Sequence, residues 1–144
     1  MKLSIVDAEL IIRTTALAKN AGVYPITFDA HTMEDVTTYQ KGNLFAQNSP
    51  FLQFHTEIIS TSRVGPTTIA PTRIFANLFF AYFTKEPSYI KDAKLQEQIA
   101  NWFAEQTIDG VRFRTFTPYL KSKENGFTQY LGVIDFDFEL YRGA

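Results

Sequence analysis

The sequence predicts a single α+β domain in which two helices pack on one face of a mixed or antiparallel sheet of about five strands. Three observations predict it. Two stretches repeat their apolar residues at helical spacing, and five others are short, rich in β-branched and aromatic residues and mostly alternating with a period of two. A chain of 144 residues is long enough for one hydrophobic core and too short for two. The elements run α, β, β, β, α, β, β over residues 1–144, and successive strands on either side of the second helix make hairpins.

Ser4, with Asp7 three residues on, is a helix N-cap signal, and Ile5, Leu10, Ile12, Ala16 and Leu17 follow a helical face. The first helix is therefore expected from Ile5 to Asn20, stopped by Asn20-Ala21-Gly22. Tyr24-Pro25-Ile26-Thr27-Phe28 reads as a short strand whose proline suits an edge or a first position. Asp29 to Pro50 shows no clear period beyond a helical turn over Met33 to Val36. Long loops of this kind are surface excursions or segments that order against a neighbouring subunit.

Leu52, Phe54, Thr56 and Ile58 alternate with Gln53, His55 and Glu57, which predicts a strand from Phe51 to Ser62. Gly65, Pro66 and Pro71 make Val64 to Pro71 a loop, and Arg73 to Phe83 follows with two mostly apolar faces, as in a central strand covered on both sides. Ser88 is the expected cap of a second helix from Tyr89 to Thr107, whose Leu95, Ile99, Trp102 and Phe103 share one side. Asp109-Gly110 is a turn, Val111 to Leu120 a strand and Lys121 to Gly126 a polar loop. Ile134, Phe136, Phe138 and Leu140 then alternate with Asp135, Asp137 and Glu139 in a closing strand.

Fourteen basic and fifteen acidic residues nearly cancel to a net charge of -1, where a protein that grips phosphates carries a basic excess or patch. The absence of cysteine excludes disulfides, thiolate metal sites and cysteine nucleophiles. Asp7, Glu9 and Arg13 interrupt the apolar run that a secretory leader needs, and the longest apolar run, Leu78 to Phe83, falls far short of the ~20 residues of a membrane helix. Neither secretion nor a membrane partner is expected. Aromatic residues make up 15% of the chain, more ring surface than one small core needs, which points toward an interface.

Asp135, Asp137 and Glu139 form a row of carboxylates on one strand face. A metal needs ligands converging from several directions, whereas residues two apart on a strand stand ~6.6 Å apart and project in parallel, so a solvated face is expected. Arg112 and Arg114 alternate on the preceding strand and would pair with that row across the hairpin, each exposed pair contributing ~0.2–1 kcal/mol. His55 and His31 are the only histidines, and no nucleophile elbow accompanies Ser60 or Ser62, so no catalytic residue is expected. No phosphate-binding glycine loop, dinucleotide fingerprint, zinc-protease helix or calcium loop occurs, so no cofactor or metal is expected either.

From Pro50 to Leu140 the chain resembles the tail terminator family of long-tailed bacteriophages, including its minor tail protein U-like members. The matching features are Pro50-Phe51-Leu52-Gln53-Phe54-His55 after a variable loop, the Gly65-Pro66 hairpin loop before Arg73 to Phe83, and the amphipathic helix from Ala93 to Phe103. Val111-Arg112-Phe113 leading to Thr117-Pro118, and an aromatic closing strand after Gly126-Phe127, complete them. The segment from His31 to Asn48 has no counterpart in the family pattern.

The resemblance implies a structural virion protein, assembled in the host cytoplasm, whose hexameric ring caps the tail tube, stops its polymerisation and offers the head-joining surface. Its partners would be the tail tube protein and a head-completion or connector protein, with DNA passing through and not specifically bound. A ring needs a heterologous interface, and Tyr39, Leu44 and Phe45 in the long segment and Val64 and Ile69 in the hairpin loop are its candidates here. Asp135, Asp137 and Glu139 are candidates for an acidic channel lining that repels phosphate. Another phage neck or head-completion subunit, or a small-molecule binding module, is the alternative.

Overall fold

The computed structural model describes residues 2–28, 50–63, 72–124 and 126–140. The strands are β1 (Lys2–Leu3), β2 (Ile26–Phe28), β3 (Phe51–Arg63), β4 (Thr72–Thr84), β5 (Thr107–Ile108), β6 (Val111–Glu124) and β7 (Phe127–Leu140). The helices are α1 (Ile5–Asn20) and α2 (Tyr89–Ala100). Among the described residues all seven strands belong to one sheet in the order β2-β3-β4-β7-β6-β5, with β1 added to β7. β2 on β3 and β1 on β7 pair in parallel and the other neighbours antiparallel, so the sheet is mixed. The five expected strands are present; β1 and β5 have two residues each, too short to leave a period in the sequence.

The first helix starts and stops where its caps dictate. Ser4 accepts the Asp7 N–H at 3.0 Å while the Asp7 carboxylate accepts the Ser4 N–H at 3.0 Å, a complete capping box. Those two hydrogen bonds, backbone first, hold the Asp7 carboxyl below its ordinary pKa. At the far end Ala21 takes the left-handed conformation at φ 49° and returns its N–H to Leu17. The buried Asn20 side chain then brackets the turn, accepting from Tyr24 N–H and donating to Tyr24 O, and aims the chain into β2.

Two expected boundaries differ. The second helix ends at Ala100, not Thr107: the N–H groups of Phe103 and Ala104 both return to Ala100 O, and Glu105 then turns into left-handed backbone at φ 61°. That reversal drops Phe103 into the core, and the Glu105 N–H bonds Arg114 O at the start of the hairpin. Helical spacing therefore places Phe103 on the right face for a different reason. Ser88 makes no side-chain cap; the Asp92 carboxylate instead accepts the Ser88 N–H at 2.8 Å. The polar run from Lys121 to Glu124 is not a loop but the end of β6, paired residue by residue with Phe127 to Tyr130. At the sheet edge a strand needs no buried period, and Gly126, at φ 82°, makes the turn.

Both helices cover the same face of the sheet. Ala8, Ile12 and Ala16 of α1 and Ile99 and Ala100 of α2 share one core with Leu52, Phe54, Leu78, Phe80, Ile134, Phe136 and Phe138. Trp102 lies past the helix end, partly buried and stacked on Phe54 at 6.3 Å, whereas Phe103 is fully buried against Phe54 and Phe113. On the opposite face Phe51, Ala81, Phe83 and Phe127 form a second, smaller buried cluster. β4 is thus covered on both sides at its C-terminal end, while nearer its start Arg73, Phe75, Asn77 and Phe79 of that face are half-buried.

Phe103→Ala should cost ~3–5 kcal/mol in urea unfolding, and Trp102→Ala clearly less, because only the first side chain is wholly enclosed. Gly132→Ala should destabilise as well, by ~1–3 kcal/mol. A Cβ there would stand 2.6 Å from the Phe116 ring and 2.7 Å from the ring of the buried Phe80. An unchanged midpoint for Gly132→Ala would show that these rings move freely.

Candidate functional site

Alternation along β7 sends Phe136 and Phe138 into the helix-covered core and Asp135, Asp137 and Glu139 to the other face. β6 does the same with Val111 and Phe113 inward and Arg112 outward, directly across from Asp137. A register shift in β6 between Phe113 and Phe116 bends that strand beside the acid. On the other flank β4 places Phe75 across from Asp137 and Arg73 across from Glu139, diagonal to the same carboxylate.

Three arginines therefore converge on one aspartate. Arg73 Nε donates to Asp137 Oδ1 at 2.8 Å, and Arg114 Nε donates to Oδ2 at 2.8 Å with a second guanidinium nitrogen at 2.7 Å. Arg112 Nε is 3.9 Å from Oδ2, an ionic contact without a hydrogen bond. Asp137 is 0% exposed, against 32%, 52% and 40% for the side chains of Arg73, Arg112 and Arg114. Burial pushes the Asp137 pKa up, but the hydrogen bonds and charges of Arg73 and Arg114 outweigh it and hold the carboxyl below its ordinary value.

The expected solvated row is thus corrected at its middle: Asp137 is enclosed, and the carboxylates do not form a continuous acidic wall. Cross-strand pairing of Arg112 and Arg114 with the row is present, concentrated on Asp137. Arg73 leaves no mark of this role in the sequence, because nothing local announces that β4 lies beside β7. Asp135 is exposed and accepts the Thr115 N–H at 3.3 Å, and Glu139 is half-buried. Among the described residues no three His, Cys, Asp or Glu side chains converge as a metal site.

The remaining expected site residues fall elsewhere. His55 stacks on Phe79 at 4.9 Å with the planes 16° apart, and Ser60 lies further along the exposed part of β3. His31 and the interface candidates Tyr39, Leu44, Phe45, Val64 and Ile69 lie outside the described residues. The expected face of α1 is corrected: Ala8, Ile12 and Ala16 turn inward, whereas Leu10 and Leu17 are 54% and 51% exposed beside Val6 at 63%, and Ile58, expected on the inner face of β3, is exposed along with Ile59, Tyr89 and Ile90.

Beneath the start of α2 sits a buried polar group of Asp92, Tyr82 and Tyr130. The Asp92 carboxylate is near enough to act on the Tyr130 phenol, yet that buried hydroxyl has no hydrogen-bond partner of good geometry among the described residues. Burial first and Asp92 second push the Tyr130 pKa up to about 12. Burial likewise raises Tyr82.

Eighteen solved chains are similar to this one in structure. One of them, whose name states no function, has a TM-score of 0.55 and 12% sequence identity, over 94% of this chain and 98% of its own. The likeness is one of fold. No protein-family model and no curated protein matches the sequence.

Because the Asp137 pKa is depressed, its stabilising effect should be complete above the ordinary value of 3.8 and lost as pH falls through the lower folded value. Asp137→Asn should cost ~1–3 kcal/mol at neutral pH, discounted for the partial exposure of the arginines, and flatten the acid limb of the stability curve. Tyr130 behaves oppositely: burial disfavours its ionised form, so folded stability is unaffected by it below the unfolded tyrosine pKa near 10.0 and falls as pH rises toward about 12. Tyr130→Phe should therefore unfold less steeply in alkali. At neutral pH it should be neutral or stabilising by ~1 kcal/mol, since it removes a buried donor without a partner.

Proposed function

We propose that this chain is a structural subunit of a long-tailed phage, of tail-terminator type, that joins further copies in a ring capping the tail tube. The observation that carries this reading is the placement of two different apolar patches at opposite flanks of the sheet, on the face that both helices cover. One is the α1 stripe of Val6, Leu10 and Leu17, on the helix that Glu9 ties to Thr56 of β3 through a 3.1 Å hydrogen bond. The other is Tyr89 and Ile90 at the start of α2, beside β6, where Lys121 Nζ sits 5.9 Å from the Tyr89 ring centroid. β4 and β7 lie between β3 and β6. Unlike patches on opposite flanks are what a heterologous interface requires, and such an interface builds a ring when the rotation from copy to copy closes.

Exposed apolar residues grouped on one helix face, unlike ones scattered singly, mark an interaction site. A hexamer, contacts with the tube protein and with a head-completion protein, a place in the virion and passage of DNA follow from the family resemblance. The absence of a cysteine, a nucleophile elbow or a phosphate loop in the sequence fits a protein without chemistry of its own.

Val6→Asp combined with Leu10→Asp should leave the monomer's unfolding midpoint within ~1 kcal/mol of the parent, because both side chains already face water. It should abolish ring formation and attachment to purified tail tubes in sedimentation. A parent protein that stays monomeric at every concentration and ignores tubes would overturn the reading, and binding to portal particles instead would favour a neck subunit.

A further inference from the structure

We propose that the arginine cluster on Asp137 is a docking site for a single carboxylate, an Asp or Glu side chain presented by a protein partner. The charge balance is the first argument. Asp137 is the acid within 4.0 Å of Arg73, Arg112 and Arg114 among the described residues, so three guanidiniums share one directly paired carboxylate, with Glu105 and Asp135 further off at the rim. Each guanidinium carries five N–H donors that match a carboxylate in pairs. Arg73 and Arg114 use part of theirs on Asp137, whereas Arg112, the most exposed, makes no hydrogen bond to it.

Preorganisation is the second. Asp137 is enclosed and its oxygens are taken, so it acts as a positioning residue that holds the arginine forks in place before any partner arrives. The third argument is access. A polar depression beside the cluster has Arg112, Arg114, Thr107, Thr115, Glu105 and Asp135 in its lining, and of these Arg112 and Asp135 alternate away from the helix-covered core. Glu105, in left-handed backbone, accepts from the Thr115 hydroxyl at 3.4 Å and forms one side of the opening, with Asp135 at another.

Those two rim carboxylates select the ligand. A continuous polyanion such as duplex DNA would set several phosphates against Glu105, Asp135 and Glu139, whereas one carboxylate on a protein side chain enters between them. The site does not depend on the α1 interface, and the isolated subunit suffices to test it.

The probe is a short capped peptide bearing one glutamate, titrated into ¹⁵N-labelled protein at low salt while the arginine Nε–H signals are followed by NMR. Arg112 and Arg114 should shift saturably, and Arg112→Gln, which removes no hydrogen bond from the fold, should weaken binding about tenfold or more with an unchanged unfolding midpoint. A capped peptide with glutamine in place of glutamate should leave the signals still. Equal binding to Arg112→Gln, equal binding of the glutamine peptide, or tighter binding of a short DNA duplex at the same salt would each overturn the proposal.

Discussion

The antiparallel pairing of β4 with β7 is the contact on which the rest of the structure depends. It runs from Arg73 opposite Glu139 to Thr84 opposite Thr128 and joins two hairpins, β3–β4 and β6–β7, that are otherwise separate. A lone hairpin is marginal in water because it has no face wide enough to cover. Once joined, the two offer Leu78, Phe80, Ile134, Phe136 and Phe138 as one surface on which both helices close. The same pairing sets Phe80 opposite Gly132, and the missing side chain on β7 is the space into which the rings of Phe80 and Phe116 reach. β4 ends forty-odd positions before β7 begins, so this contact closes a long loop before it yields any burial.

Local signals are legible in the sequence because local physics makes them. The capping box at Ser4 and Asp7, the left-handed stop after Asn20 and the alternation of β3, β4 and β7 each depend on residues a few positions apart. Boundaries set by tertiary demand were not legible. Helical spacing continues past Ala100, yet the chain turns there because Phe103 must enter the core and Glu105 must meet Arg114. Likewise Lys121 to Glu124 lack an apolar period because β6 is an edge strand beyond β5, where both charge and Pro118 are tolerated.

Asp137 shows the same limit at the level of a site. Alternation correctly assigns it to the face away from the helices, but a period reports a side, not whether water reaches it. Burial came from a neighbour that no local pattern announces, Arg73 on β4, acting with two arginines on β6. A buried carboxylate without them would lose its hydration and gain nothing in return; hydrogen-bonded to Arg73 and Arg114, it has its proton held off more firmly than in water. The acid's role is thereby turned around, from a charge displayed to solvent into the anchor of displayed guanidiniums.

The first helix carries a conflict of another kind. Its inward residues include Ala8 and Ala16, which let the helix approach the sheet closely, while Val6, Leu10 and Leu17 are left outside. A sequence selected only for the stability of this domain would do the reverse, since enclosing a Val or Leu side chain contributes ~1.5–3 kcal/mol. Large side chains kept outside while two alanines face the core beside Ile12 are a local rule broken without gain to the monomer, and such breaks concentrate at functional sites. The small inward residues set the helix height, the height fixes how far the outer leucines stand from the sheet, and the apolar ridge so formed is rigid because a capping box and a closed turn pin both its ends. A rigid ridge loses little conformational freedom when a partner covers it, which is the property an assembly surface needs.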